Sequence, residues 1–347
     1  MAYYFKLPLF TDLTTGQRSA LNEPNAIAIS GGPGTGKSVV SLWRHIRNYG
    51  LGNRNSLLLT YTKTLETYLA ASAGSENPKA GKAVNRTYWW STHNPTNFDE
   101  IIIDEAQDVE GIKYDIVKRY SNIISYGADD KQIVYPKKCT TEAQLKGIFP
   151  KNNHYELDEN FRNSYEIMLF TQALFPNKLI PQHTINKLLA DKKTGNKPIL
   201  LITDNDLAKQ KKSILDIINL FKSDRHNIAI LVPLRKHVNQ FHKILMDENI
   251  TCSKYESDDD ELAVIENVHI TTFKSSKGTE FDTVIIPDFQ NFEWNIANLT
   301  LAPITENDYY VAITRARRNL YLISSSALAF LENSEQQEAT YQKEIVK

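Results

Sequence analysis

The sequence predicts an α/β protein of two tandem domains, each a parallel sheet flanked by helices. Three observations lead there. Short β-like apolar runs alternate with helix-like stretches along the chain. One such series opens near Ala26 and a second near Pro198. The length, 347 residues, suits two domains that can each bury a core.

The elements follow in order. Ala26–Ser30 (AIAIS) reads as a strand running into a Gly-rich turn, and Ser38–Tyr49 as the helix after it. Ser56–Thr60 (SLLLT) is a second strand, with a helix around Lys63–Ala71. Ser72–Ala83 carries Gly, Pro, Asn and Lys and reads as a loop. Glu100–Ile103 is a buried strand ending on acids, and Asn122–Tyr126 is another strand. The second series has strands at Pro198–Thr203, Ile228–Pro233, Val268–Thr272, Thr283–Pro287 and Leu320–Ser324, with a helix at Leu234–Asn249. Glu256–Glu261 (ESDDDE) is an acidic run expected in a solvated loop. From about Ser334 the polar composition suggests a frayed helix or tail. The domains are expected to cover residues 1–156 and 157–347, with the boundary near Tyr155–Leu157.

Composition narrows the function classes. Hydrophobic content of 41% and charged content of 23% are ordinary for a soluble globular protein. A formal net charge of −1 implies no wholesale attraction to nucleic acid or membrane, so any polyanion must bind a local patch. Cys139 and Cys252 have no metal or redox spacing and read as reduced thiols. The N-terminal MAYYFKLPLF lacks the apolar core of a signal peptide, and no run approaches the ~20 apolar residues of a membrane span. The expectation is a cytoplasmic protein without a membrane partner.

Gly31-Gly-Pro-Gly-Thr-Gly36-Lys37-Ser38 fits G-x-x-x-x-G-K-[ST] between a strand and a helix. In this pattern glycines let backbone N–H groups, here including those of Gly34, Thr35 and Gly36, point at phosphate oxygens. The following helix offers its positive end to the same anion. Lys37 should reach the β- and γ-phosphates of ATP, and Ser38 should ligate Mg²⁺. Ile101-Ile-Ile-Asp104-Glu105 supplies the second element. Asp104 can hold the Mg²⁺ shell, and Glu105 could orient and deprotonate the attacking water. No signal for a second substrate site argues for a kinase.

Asp104-Glu105-Ala106-Gln107-Asp108 resembles motif II of superfamily 1 helicases of the UvrD/Rep type. The resemblance continues in family order over almost the whole chain. Leu13–Gln17 (LTTGQ) with Ala20 and Leu21 looks like the Q motif, and Leu58–Leu69 (LLTYTKTLETYL) like motif Ia. Thr87–Trp90 (TYWW) sits where motif Ib belongs. Tyr126–Tyr135 (YGADDKQIVY) resembles motif III, with Ala128 in place of the usual Gly, and Leu157–Ser164 (LDENFRNS) resembles motif IV. Ile270–Pro287 resembles motif V and Tyr310–Leu322 (YVAITRARRNLYL) motif VI.

The resemblance implies two RecA-like phosphate-loop domains, with ATP in the cleft between them and single-stranded nucleic acid across their top. It implies that Gln17 reads the adenine edge, that Phe161 replaces the tyrosine that stacks on adenine, and that Glu280 lies near the ribose. Gln132 would sense the γ-phosphate. Arg162 and Arg315 would be arginine fingers from the second domain. For the nucleic-acid side the candidates are Thr60, Tyr61 and Thr62, then Thr87, Trp89 and Trp90, then Tyr135, and finally Thr272, Lys274 and Ser276. Hydroxyl and basic groups would contact phosphates while aromatic rings stack on bases. Lys274 stands where the family usually has His. The large insertions of UvrD-like helicases are missing, so the chain reads as a nearly bare two-domain motor. The expected function is an ATP-dependent translocase or helicase on single-stranded DNA. RNA stays open because its 2′-OH contacts are not legible in sequence. The alternative is a nucleotide-dependent regulatory subunit that docks a partner such as a nuclease.

Overall fold

The computed structural model describes residues 7–51, 54–93, 95–178, 180–255, 264–298, 304–332 and 339–347. The acidic run at Glu256–Glu261 lies outside these residues. The described chain forms two compact units that divide between Phe161 and Arg162.

The first unit is built on six strands: β1 (Ile27–Ser30), β2 (Ser56–Thr60), β3 (Val84–Arg86), β4 (Glu100–Ile103), β5 (Ile124–Gly127) and β6 (Asn153–Glu156). Their order is β3-β2-β4-β5-β1-β6, and every pairing is parallel. Parallel pairing needs crossovers, and helices on both faces then bury both sides of the sheet. The side chains obey that demand. Leu57, Leu59, Ile101, Ile103, Ile124 and Tyr126 pack on one face. Ile27 and Ile29 of β1 pack on the other, with Val40 and Leu157.

The second unit has β7 (Ile199–Ile202), β8 (Ile228–Val232), β9 (Ser253–Tyr255), β10 (Val268–Thr272), β11 (Phe281–Ile286), β12 (Ala316–Ser324) and β13 (Gln342–Ile345). Their order is β13-β7-β12-β11-β8-β10-β9, again parallel throughout. Period-two alternation splits its core in two. Leu200, Ala229, Leu231, Val284, Ile286 and Leu322 face one side, and Leu201, Ile228, Ile230, Ile285 and Ile323 the other. No helix among the described residues is long and apolar enough to cross a membrane.

Three expectations differ from the structure. The stretch Ser72–Ala83 is not a loop: one helix runs Lys63–Glu76 and a second Pro78–Lys82. The apparent loop signals have helical uses. Asn77 caps the second helix by accepting from the Lys79 and Ala80 N–H groups, and Pro78 opens it. The glycines permit close packing, since a Cβ on Gly81 would lie 2.6 Å from Gly74 Cα. The polar C-terminus is not a frayed helix where it is described. Tyr341 is buried against Phe170, and β13 then pairs in parallel with β7. The unit boundary also falls later than Tyr155–Leu157, because β6 pairs with β1 and Leu157 belongs to the first core.

Candidate active site

β1 turns at Gly31 at the carboxyl end of the sheet, where open α/β sheets bind ligands. A Cβ on Gly31 (φ 144) would sit 2.2 Å from the Leu157 carbonyl oxygen, and one on Gly36 (φ 87) 2.4 Å from Gln17 Nε2. Glycine alone meets both the space and the backbone conformation. The helix Lys37–Gly50 begins at the end of the loop and directs its unpaired N–H groups and positive dipole end toward it. The Lys37 ammonium lies back over the loop. It donates to the Gly31 carbonyl at 2.6 Å and the Gly32 carbonyl at 3.0 Å, and sits 3.8 Å from Asp129 Oδ2.

The loop is braced from outside. Gln17 Nε2 donates to the Thr35 carbonyl at 3.0 Å, and Asn160 Nδ2 to the Pro33 carbonyl at 3.0 Å. The Phe161 N–H donates to the Gly34 carbonyl at 2.8 Å, and the Leu157 N–H to Ser30 at 2.9 Å. Gln17 Oε1 meanwhile accepts from the Thr14 N–H at 3.0 Å. Both ends of the Gln17 amide are therefore engaged, as a cap and as a brace. Phe161 is 38% exposed. Asn160 escaped the sequence reading because nothing in its type or spacing marks a brace.

Strand β4 delivers the acids. The Asp104 N–H extends the strand by donating to Leu59 at 2.8 Å. Asp104 is buried, and its Oδ2 has no hydrogen-bond partner. Burial pushes its carboxyl well above the usual range; the Glu105 charge adds to that, while Ser38 and Lys37 oppose it. Gly127 at the end of β5 lies between them, where a Cβ would be 3.5 Å from Asp104 Oδ1 and 3.6 Å from Lys37 Cβ. An orphaned buried carboxylate oxygen beside a hydroxyl fits a hard cation. Ser38 and Asp104 would hold Mg²⁺, with phosphate and water completing its shell. Among the described residues no group of three or more His, Cys, Asp or Glu side chains could hold a metal.

Glu105 follows in the left-handed region (φ 55, ψ 43). Gln107 Nε2 donates to Glu105 Oε2 at 2.7 Å, and Gln107 Oε1 accepts the Asp129 N–H at 3.1 Å. Asp129 in turn accepts from the Lys131 N–H at 3.0 Å and from Gln132 Nε2 at 2.6 Å. Ala128 has a negative φ and pairs its N–H with Ile29, so glycine is not needed there. Lys37, Ser38, Asp104, Glu105 and Gln132 thus gather at one end of the first-unit sheet.

The second unit gathers the arginines. Arg162 Nε donates to Glu280 Oε2 at 3.0 Å, and Arg317 lies 3.6 Å from Glu280 Oε1. Burial would raise the Glu280 carboxyl, but Arg162, Arg317 and Arg315 outweigh it and hold the carboxyl below its usual value. Arg315 is 1% exposed and donates to the carbonyls of Val311 at 3.0 Å and Thr279 at 3.2 Å, and to Thr314 Oγ1 at 3.2 Å. Asn163 Nδ2 donates to the Thr314 carbonyl at 3.0 Å and the Ala316 carbonyl at 2.6 Å, which fixes Arg162 beside the Arg315 turn.

The nucleic-acid candidates divide by burial. Trp90 is 4% exposed and packs with Leu57 and Ile101, so its ring cannot receive a base. Thr60 and Thr87 are buried and bonded to each other, with Thr87 Oγ1 donating to the Thr60 carbonyl at 3.2 Å. Ser276 is buried and donates to the Phe273 carbonyl at 2.7 Å. Thr272 is buried and donates to Ser275 Oγ at 3.0 Å. These side chains hold the loops rather than face a strand. Tyr61 and Tyr135 are half-buried with ring centroids 5.4 Å apart, and Thr62 caps the helix at Lys63. Lys274 is half-buried and lies 3.8 Å from Asp308. On the helix Thr87–His93 the exposed rings are Trp89, 48% exposed and stacked on His93 at 3.7 Å, and Tyr88 beneath Lys113. Adjacent aromatics do not announce which side is inward until the helix Thr87–His93 is in place.

Residues 24–186 match the family model described as Schlafen group 3, DNA/RNA helicase domain, and residues 253–327 match the UvrD-like helicase C-terminal domain. A protein of Acanthamoeba polyphaga mimivirus, named as a candidate ATP-dependent DNA helicase, is 29% identical over 244 residues. That match takes in 64% of this chain and 34% of the viral protein, so the chain spans about a third of its relative's length. Among solved structures, the arterivirus nonstructural protein 10 helicase overlaps 94% of this chain and 63% of its own at a TM-score of 0.44 and 13% identity. The PRRSV helicase overlaps 89% and 54% at 0.42 and 14%. Overlaps that loose do not define a fold, which rests on the strand order above. Both family matches fall in the order of the motifs, and together with the viral relative they support a superfamily 1 helicase of the UvrD-like type.

Proposed function

We propose that the chain is an ATP-driven translocase or helicase on single-stranded DNA. One observation carries the reading: the phosphate loop, the Asp104–Glu105 pair and the Asp129–Gln132 turn converge at the carboxyl end of one parallel sheet. The loop N–H groups and Lys37 bind the phosphates, Lys37 exchanging its loop carbonyls for phosphate oxygens. Ser38 and Asp104 hold Mg²⁺, which supplies charge neutralisation on the phosphates when bound. Glu105 orients the attacking water and accepts its proton, and Gln132 responds to the γ-phosphate. Arg162 and Arg315 neutralise the transferred phosphoryl group, an effect worth about 10³–10⁵ in rate. That role requires each to trade its present partners for phosphate oxygens. Tyr61, Thr62, Trp89, Tyr135 and Lys274 are the members of the nucleic-acid set with surface to offer a strand.

The test is ATP hydrolysis measured with single-stranded DNA, duplex DNA and RNA, beside strand displacement with tails of each polarity. Single-stranded DNA should stimulate the rate. Equal rates with and without any nucleic acid would overturn the reading, and stimulation by RNA alone would reassign the substrate.

A further inference from the structure

Glu105 has the chemistry to act on water but little intrinsic reason to hold still. Its backbone is in a region uncommon for a non-glycine residue, and its side chain has three rotatable torsions. The structure supplies a fully buried partner. Gln107 is wholly buried, and its Nε2 donates to Glu105 Oε2 at 2.7 Å. The orientation of that amide is set by its other end, because Oε1 accepts the Asp129 N–H at 3.1 Å. Turning the amide over would set an oxygen against the Glu105 carboxylate and an N–H₂ against an N–H, losing both bonds. The Gln107 backbone is pinned too, its carbonyl accepting the Thr140 N–H at 2.9 Å.

We propose that Gln107 is a positioning residue for Glu105. Its donor fixes the carboxylate, and its acceptor ties that carboxylate to the turn carrying Gln132. This rests on the reading of Glu105 as the group that acts on water. Asp129 receives the Gln107 amide through its N–H while its carboxylate accepts from Gln132 and lies 3.8 Å from Lys37. A single buried amide therefore spans the groups that handle the water and those near the phosphates. No other side chain fits as well. Asn is one methylene short, Met has the volume without donor or acceptor, and Glu keeps the acceptor but opposes one carboxylate with another.

The experiment uses the full chain with saturating single-stranded DNA and compares Gln107→Met and Gln107→Glu with the parent. The expected result is a loss in kcat of about 10–100-fold in both variants, the scale of a misplaced reacting group. KM for ATP and the affinity for a fluorescent ATP analogue should stay within about twofold, because neither depends on Glu105 being aimed. Gln107→Glu should lose at least as much as Gln107→Met although it keeps the Asp129 bond. In a Glu105→Gln background, Gln107→Met should bring no further loss in the residual single-turnover rate. Unchanged kcat, or kcat and analogue binding falling together with the melting temperature, would overturn the proposal. So would losses that multiply in the double variant. Should Glu105→Gln itself keep full turnover, the functional reading fails with it. An inactive Glu105→Gln beside a fully active Gln107→Met sinks the positioning role alone.

Discussion

At the residue scale, the ATP site divides into groups that touch phosphate and groups that hold them. Lys37 is the sharpest case, since its ammonium already leans on the loop and lies near Asp129. Lys37→Ala should abolish ATP hydrolysis, and a variant that still turns over would refute the loop assignment. The two tryptophans give a contrast. Trp90→Ala should cost about 3–5 kcal/mol in denaturant unfolding, because it empties a core position. Trp89→Ala should stay within about 0.5 kcal/mol and instead weaken single-strand binding. The reverse pattern would invert the placement of the helix that carries them. The residues at phosphate were legible because glycines, a lysine and an acid pair are required there by type and spacing. Gln107 and Asn160 were not, because a brace is defined by what it reaches, such as Asp129 and Pro33, and sequence does not print that reach.

At the element scale, the helical hairpin at Lys63–Lys82 shows how loop-forming residues serve helices. Gly81 and Gly74 touch backbone to backbone, and the Ala80 carbonyl accepts from His45 Nε2 at 3.0 Å on the helix that follows the phosphate loop. Gly81→Ala would drive a methyl into Gly74 and should cost about 1–3 kcal/mol, read as a lowered denaturation midpoint at constant slope. An unchanged midpoint would mean the two helices separate without penalty. Central strands such as Ser56–Thr60 and Val268–Thr272 were readable as apolar runs, since both faces are covered. The edge strands β3, β6 and β9 were not, because they pair on one side only and carry no continuous apolar run. β13 escaped for the same reason, with its anchor reduced to Tyr341.

At the scale of the whole molecule, each unit buries a neutral histidine. His45 accepts from Ser56 and donates to Ala80, and His269 pairs with Ser253 while its Nε2 has no partner. Burial lowers both from 6.5 to about 4. The unfolded chain therefore takes up protons as pH falls through 6.5, and the folded chain only near 4. Stability is fully present above the unfolded value and drops between the two, by ~3 kcal/mol for each histidine. Melting temperatures from about pH 7.5 to 5 should decline accordingly, and replacing His45 with Gln should flatten part of the slope. A flat profile for the parent would show that these rings are not held neutral. The alternation of strands and helices foretold two parallel sheets, but strand order is a long-range property that no local pattern encodes. The segment Leu157–Phe161 has the same character. It resembles a motif of the second half, yet its backbone and Asn160 close over Ser30, Pro33 and Gly34. For anyone exchanging halves between related motors, that sets the crossover point. A chimaera spliced after Glu156 would inherit a foreign clasp on its own phosphate loop, whereas one spliced between Phe161 and Arg162 would keep loop and clasp of common descent.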